Sequence, residues 1–129
     1  MIFEHFALNV TDAPAATAWY VENLGLKVLK QQTESPFTAF LGDSTGRVFL
    51  EVYSNPAAAV TDFSKQHPLV FHWALVSEDP SSDLARLVAA GARVESDGVV
   101  ADGSRLIMLR DPFGIPLQLC CRATRFPTG

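Results

Sequence analysis

The feature that most constrains this chain is that it is written twice. A shift of 67 positions carries His5-Phe-Ala-Leu-Asn-Val-Thr-Asp12 onto His72-Trp-Ala-Leu-Val-Ser-Glu-Asp79. Self-similarity at a fixed period means that one supersecondary unit is used more than once. Each copy opens on an apolar strand, reaches an acidic residue and turns into a helical pattern. In the first copy Asp12 caps the helix, Pro14 suits its first turn, Trp19, Tyr20 and Leu24 follow at helical spacing, and Gly25 ends it. In the second, Asp79 or Ser81 caps, Leu84, Leu87 and Val88 form the apolar face, and Gly91 stops the helix.

Three strand-like segments follow each helix. In the first copy they run 26–33, 37–41 and 47–53, with Gly42-Asp-Ser-Thr-Gly46 as a hairpin turn. In the second they run 92–95, 105–110 and 115–122, with the turn at Asp111-Pro-Phe-Gly114. The expected architecture is therefore α+β, with two tandem βαβββ modules in one domain over 1–129. Module 1 spans 1–53, a linker with a short helical turn spans 54–68, module 2 spans 69–122, and a loosely held tail covers 123–129.

The same shift carries Glu51 onto Gln118. Both follow a leucine in the middle of an apolar strand pattern. A polar residue in such a strand is costly unless it finds a partner. Taken singly, each has a plain reading. A lone strand histidine is more often a satisfied core residue than a ligand, and Glu51 alone also suits a half-exposed edge strand. The repeat makes His5, Glu51, His72 and Gln118 a set. If an approximate twofold relates the modules, the set converges. Two imidazoles, a carboxylate and an amide oxygen suit a divalent transition metal, Zn, Ni, Co, Mn or Fe, with room for substrate. His67 falls outside the repeat and reads as a surface residue.

Composition narrows the rest. The net charge is −4 and no Lys/Arg run is present, which argues against nucleic acid as a partner. No apolar stretch is long enough to span a bilayer, so no membrane partner is expected. The start of the chain lacks the pattern of a secretory signal. The two cysteines, Cys120 and Cys121, are adjacent and poorly placed for a mutual disulfide, as in a reducing cytoplasm. A cytoplasmic location is expected. Arg105, Arg110, Arg122 and Arg125 are candidates for a basic cluster, with surface solubility as the plainer account of each.

Taken together, His5-x-x-Leu-x-Val-x-Asp12, Trp19-Tyr-x-x-Asn-Leu-Gly25, His72-x-x-Leu75, Leu87-x-Ala-Ala-Gly91 and Asp111-Pro-Phe-Gly-x-Pro-Leu-Gln118 resemble the vicinal oxygen chelate superfamily. That superfamily includes glyoxalase I, bleomycin-resistance proteins, fosfomycin-resistance transferases, methylmalonyl-CoA epimerase and extradiol dioxygenases. The resemblance implies paired βαβββ modules whose sheets curl into a cleft, a small-molecule substrate or ligand, and a homodimer. It places the metal ligands at His5, Glu51, His72 and Gln118. The family usually carries Glu at the last position. Epimerase-like sets read His, Gln, His, Glu in chain order, whereas this chain reads His, Glu, His, Gln.

The resemblance implies a metal-dependent lyase or isomerase of glyoxalase type, stabilising an enediolate, with Glu51 as the catalytic base. The alternative it implies is a metal-free binding protein of the bleomycin-resistance type, with Phe37, Phe40, Phe71, Trp73 and Phe113 available to line a cleft. Extradiol dioxygenase and fosfomycin-type thiol transfer fit less well, since both expect a carboxylate where Gln118 stands.

Overall fold

A computed structural model of the chain describes residues 1–127. The chain divides into two compact units, the first ending at Thr61 and the second beginning at Asp62. The first contains β1 (Phe6–Asn9), α1 (Ala13–Leu24), β2 (Lys27–Gln31), β3 (Ala39–Gly42) and β4 (Val48–Tyr53). The second opens with a 3₁₀ turn (Phe63–Lys65), then β5 (Trp73–Val76), α2 (Pro80–Ala89), β6 (Arg93–Val99), β7 (Arg105–Arg110) and β8 (Pro116–Cys121). Each unit is the βαβββ arrangement expected from the repeat.

The helices begin where the sequence sets them. Asp12 accepts from the Ala15 N–H at 3.0 Å, and Asp79 accepts from the Ser82 N–H at 3.1 Å. Each aspartate satisfies a donor that the first helical turn leaves unpaired. Asp79, not Ser81, is the cap. Gly25 takes φ +68° and closes α1, a left-handed conformation that glycine adopts without a Cβ penalty.

Each unit holds one four-stranded sheet, ordered β1-β4-β3-β2 in the first and β5-β8-β7-β6 in the second. In both, the first strand runs parallel to the last, and the other pairs are antiparallel. Helix α1 packs on β3 and β4, and α2 on β7 and β8. Alternation along the strands then separates two faces. In the first unit Leu41, Leu50 and Val52 are fully buried on the helix side. In the second, Ile107, Leu109, Leu117 and Leu119 do the same. Each such side chain contributes roughly 1.5–3 kcal/mol by leaving water. The residues between them, including Phe40, Glu51, Met108 and Gln118, face away from the helix.

Two strand boundaries differ from expectation for visible reasons. Strand β3 begins at Ala39, not Phe37, because Phe37 has φ +59°, outside the extended region a strand requires. Strand β6 runs on to Val99 because it stays paired with β7 as far as Arg105, with a register shift between Val94 and Ser96. The tail is tethered as far as described: the Ala123 N–H donates to Ser104 Oγ, and Arg125 pairs with Glu78. The last two positions of the tail lie outside the described residues.

Candidate functional site

Parallel pairing of β1 with β4 sets Ala7 opposite Glu51. His5, two positions before Ala7, is thereby aimed along the same face. Its Nε2 lies 3.1 Å from Glu51 Oε2, and its Nδ1 lies 2.9 Å from Glu4 Oε1. Phe40, the register partner of Glu51 on β3, meets the His5 ring edge-on at 5.6 Å between centroids. The side chains of His5 and Glu51 keep 27% and 20% of their surface exposed. They are thus reachable from solvent yet shielded enough to interact.

The second unit repeats the layout. Parallel pairing of β5 with β8 sets Ala74 opposite Gln118, and His72 stands two positions before Ala74. The His72 ring is anchored differently: Nδ1 lies 3.0 Å from the carbonyl oxygen of Pro68. A carbonyl can only accept, so Nδ1 carries the proton and the lone pair of neutral His72 is on Nε2. Gln118 Oε1 accepts from the Cys120 thiol at 3.2 Å. Burial pushes the Cys120 thiol above its ordinary range.

Chemically, these residues supply two kinds of group. The imidazoles and the Gln118 carbonyl are neutral donors, and Glu51 is a carboxylate able to take up a proton. The structure brings His5 and Glu51 into contact and sets His72 and Gln118 at the equivalent register positions. No cluster of three or more His, Cys, Asp or Glu side chains forms among the described residues.

On the second unit is a cavity of about 590 Å³, lined by the 64–69 segment together with Glu95, Ser96, Arg110 and Met108, the last being the register partner of Gln118. His67 is exposed at its rim, as the sequence suggests. Arg110 departs from the surface reading. It is 5% exposed and bonds to Glu95 and to the carbonyls of Phe63, Gln66 and Gly114. The available signal was its place in Arg-Leu-Ile-Met-Leu-Arg, a charge inside an apolar strand. Arg105 is held by Asp97 and Ser81, and Arg125 by Glu78. Trp73 is core: it pairs in register with Leu117 on the helix side. Phe40 remains beside the first pair.

Residues 2–119 match the family model described as Glyoxalase/Bleomycin resistance protein/Dioxygenase superfamily. The chain belongs to that superfamily. Solved structures of similar fold include a glyoxalase family protein from Enterococcus faecalis, 25% identical, covering 93% of this chain and 96% of that one with a TM-score of 0.70. A glyoxalase family protein from Bacillus cereus is 18% identical over 91% of each chain, with a TM-score of 0.73. TnmS3, an antibiotic binding protein from Streptomyces sp. CB03234, is 22% identical over 92% of this chain and 93% of its own, with a TM-score of 0.69. No curated protein matches the chain significantly. Its two βαβββ units are thus the fold of the glyoxalase superfamily, as the sequence motifs imply.

Proposed function

We propose that this protein is a divalent-metal-dependent lyase or isomerase that stabilises an enediolate of a small, oxygen-chelating substrate. The observation that carries the reading is the 3.1 Å approach of His5 Nε2 to Glu51 Oε2 on a helix-free sheet face. His72 and Gln118 occupy the same register positions in the second unit, and His72 offers an Nε2 whose opposite nitrogen is already engaged. Imidazole nitrogens with carboxylate and amide oxygens are a donor set suited to Zn, Ni, Co, Mn or Fe. His5, Glu51, His72 and Gln118 are the residues that would hold the ion. A bound dication would supply Lewis-acid polarisation of a carbonyl oxygen.

The chain's own residues do the rest. Glu51 is the one carboxylate of the four, so it takes the proton from the substrate carbon and returns it to the neighbouring carbon. Gln118 cannot accept a proton, so the set offers no second carboxylate base. His5 orients Glu51, and the Pro68 carbonyl fixes the orientation of His72. The protein acts in this reading as a cytoplasmic homodimer on a small molecule, without nucleic acid or membrane.

The test is metal analysis of the purified protein, repeated on Glu51→Gln. Loss of bound metal in the variant makes Glu51 a ligand, and retained metal with lost turnover makes it the base. A wild-type protein that takes up no divalent ion at micromolar concentration ends the proposal. A second reading, sequestration of a small organic ligand without metal, draws on the open cavity beside Met108 and on the likeness to an antibiotic binding protein. Thermal shifts with a compound panel in the presence of a chelator distinguish it.

A further inference from the structure

The four site residues do not explain why a guanidinium is buried beneath the cavity. Arg110 sits on β7 with its side chain on the helix-free face. Its Nε reaches Glu95, Nη1 reaches the carbonyls of Phe63 (2.8 Å) and Gly114 (3.2 Å), and Nη2 reaches the carbonyl of Gln66 (2.7 Å). Burying a guanidinium is unfavourable against an apolar side chain of similar size. An apolar residue would fill the space, but it would leave these carbonyls unheld. A planar fork of fixed donors is suited to that task.

The carbonyls belong to one small loop. Phe63 and Phe71 close its ends, their rings 5.1 Å apart. Inside it, the Ser64 N–H donates to Asp62, the Leu69 N–H to His67 Nδ1, and the Val70 N–H to the His67 carbonyl. The loop also abuts the Asp111–Gly114 turn: a Cβ added at Gly114 would meet the Ser64 Cβ at 2.8 Å. Two residues beyond Gln66 stands Pro68, whose carbonyl accepts a hydrogen bond from His72 Nδ1–H. An unbroken run of contacts therefore leads from Arg110 through the loop to the imidazole of His72.

We infer that Arg110 is a positioning residue for His72: it holds the 63–68 loop so that the Pro68 carbonyl fixes which ring nitrogen of His72 is free. The importance of this for function rests on the reading of His72 as a ligand, but the positioning itself does not.

The test uses the full chain with 15N-labelled histidine, free of metal and at a pH where the imidazoles are neutral. Nitrogen NMR reads the His72 tautomer directly. Wild-type protein is expected to show the Nδ1–H form, and Arg110→Met is expected to mix the two forms while His5 keeps its wild-type signals. Separately, Zn2+ affinity is expected to fall about 10–100-fold in the variant. A folded Met variant with an unchanged His72 tautomer overturns the inference. If that variant does not fold, Arg110→Lys decides by the same signal, since it retains the charge but not the fork. A wild-type protein that binds no Zn2+ but shows the tautomer shift on substitution sinks the metal reading and leaves the positioning role standing.

Discussion

His5 Nε2 stands 3.1 Å from Glu51 Oε2, a contact made by residues from the two ends of the first βαβββ unit. The strand register that creates it is repeated around His72 and Gln118. The fourth position differs in its functional group, a carboxylate in one unit and an amide in the other, and the histidines differ in their anchors, Glu4 and Glu51 for His5 and the Pro68 carbonyl for His72.

That difference is open to direct test. Gln118→Glu gives each unit a carboxylate. If these positions hold a dication, Zn2+ affinity measured by competition with a chelating dye should rise about tenfold, or about 1.4 kcal/mol. The Cys120 thiol keeps an acceptor in the variant, so folding should be little affected. An affinity equal to wild type would remove Gln118 from the site.

The turn before β8 should be intolerant of a side chain. Gly114 has φ +83°, and an added Cβ would lie 2.8 Å from the Ser64 Cβ. Gly114→Ala should lose about 1–3 kcal/mol from backbone strain alone. Urea unfolding should show a lower midpoint at unchanged slope. A midpoint within error of wild type would mean that loop and turn are not in firm contact.

Acid sensitivity should be traceable to β6 and β7. Asp97 receives Nε and Nη2 of Arg105 at 2.9 and 2.8 Å. These bonds hold its carboxyl below the ordinary 3.8. A group depressed in the folded state adds stability that is fully present above its unfolded value and is lost as pH falls through its folded value. The stability gap between wild type and Asp97→Asn should therefore be constant above about pH 5 and shrink below 3.8. A gap that persists at the lowest pH would contradict the assignment.

The two adjacent cysteines should differ in reactivity. Cys120 is 5% exposed with its thiol pushed up by burial, while Cys121 is only part-buried. Because the thiolate is the nucleophile, Cys121→Ser, which leaves Cys120 alone, should react with a disulfide reagent at least about tenfold more slowly than Cys120→Ser. Equal rates would show that the strand opens readily.

How far the sequence reaches can be judged from particular residues. The caps at Asp12 and Asp79, the stop at Gly25 and the turn at Asp111 were legible because their chemistry is local. The repeat grouped His5, Glu51, His72 and Gln118 as one set, and of these the structure brings His5 and Glu51 into contact. Phe37 was not legible: its left-handed backbone is imposed by the loop around it, and a bulky aromatic gives no sign of it. Arg110 was misleading for the opposite reason. Its burial depends on carbonyls more than forty positions earlier in the chain, and no local pattern announces them.

The parallel pairing of first and last strands has a consequence for how each unit comes into being. His5 leads into β1, but β4, the strand that brings it Glu51, is the last of the unit to emerge. Helix α1 and the β2–β3 hairpin can form from neighbouring residues, whereas the β1–β4 pairing must wait for the whole segment and bear its closure entropy. A nascent chain stopped at Gly46 would hold an unmatched histidine on an unpaired strand. Arrival of a few more residues would supply both the missing hydrogen-bonded neighbour and the carboxylate, so that strand pairing and the His5–Glu51 contact form in one event.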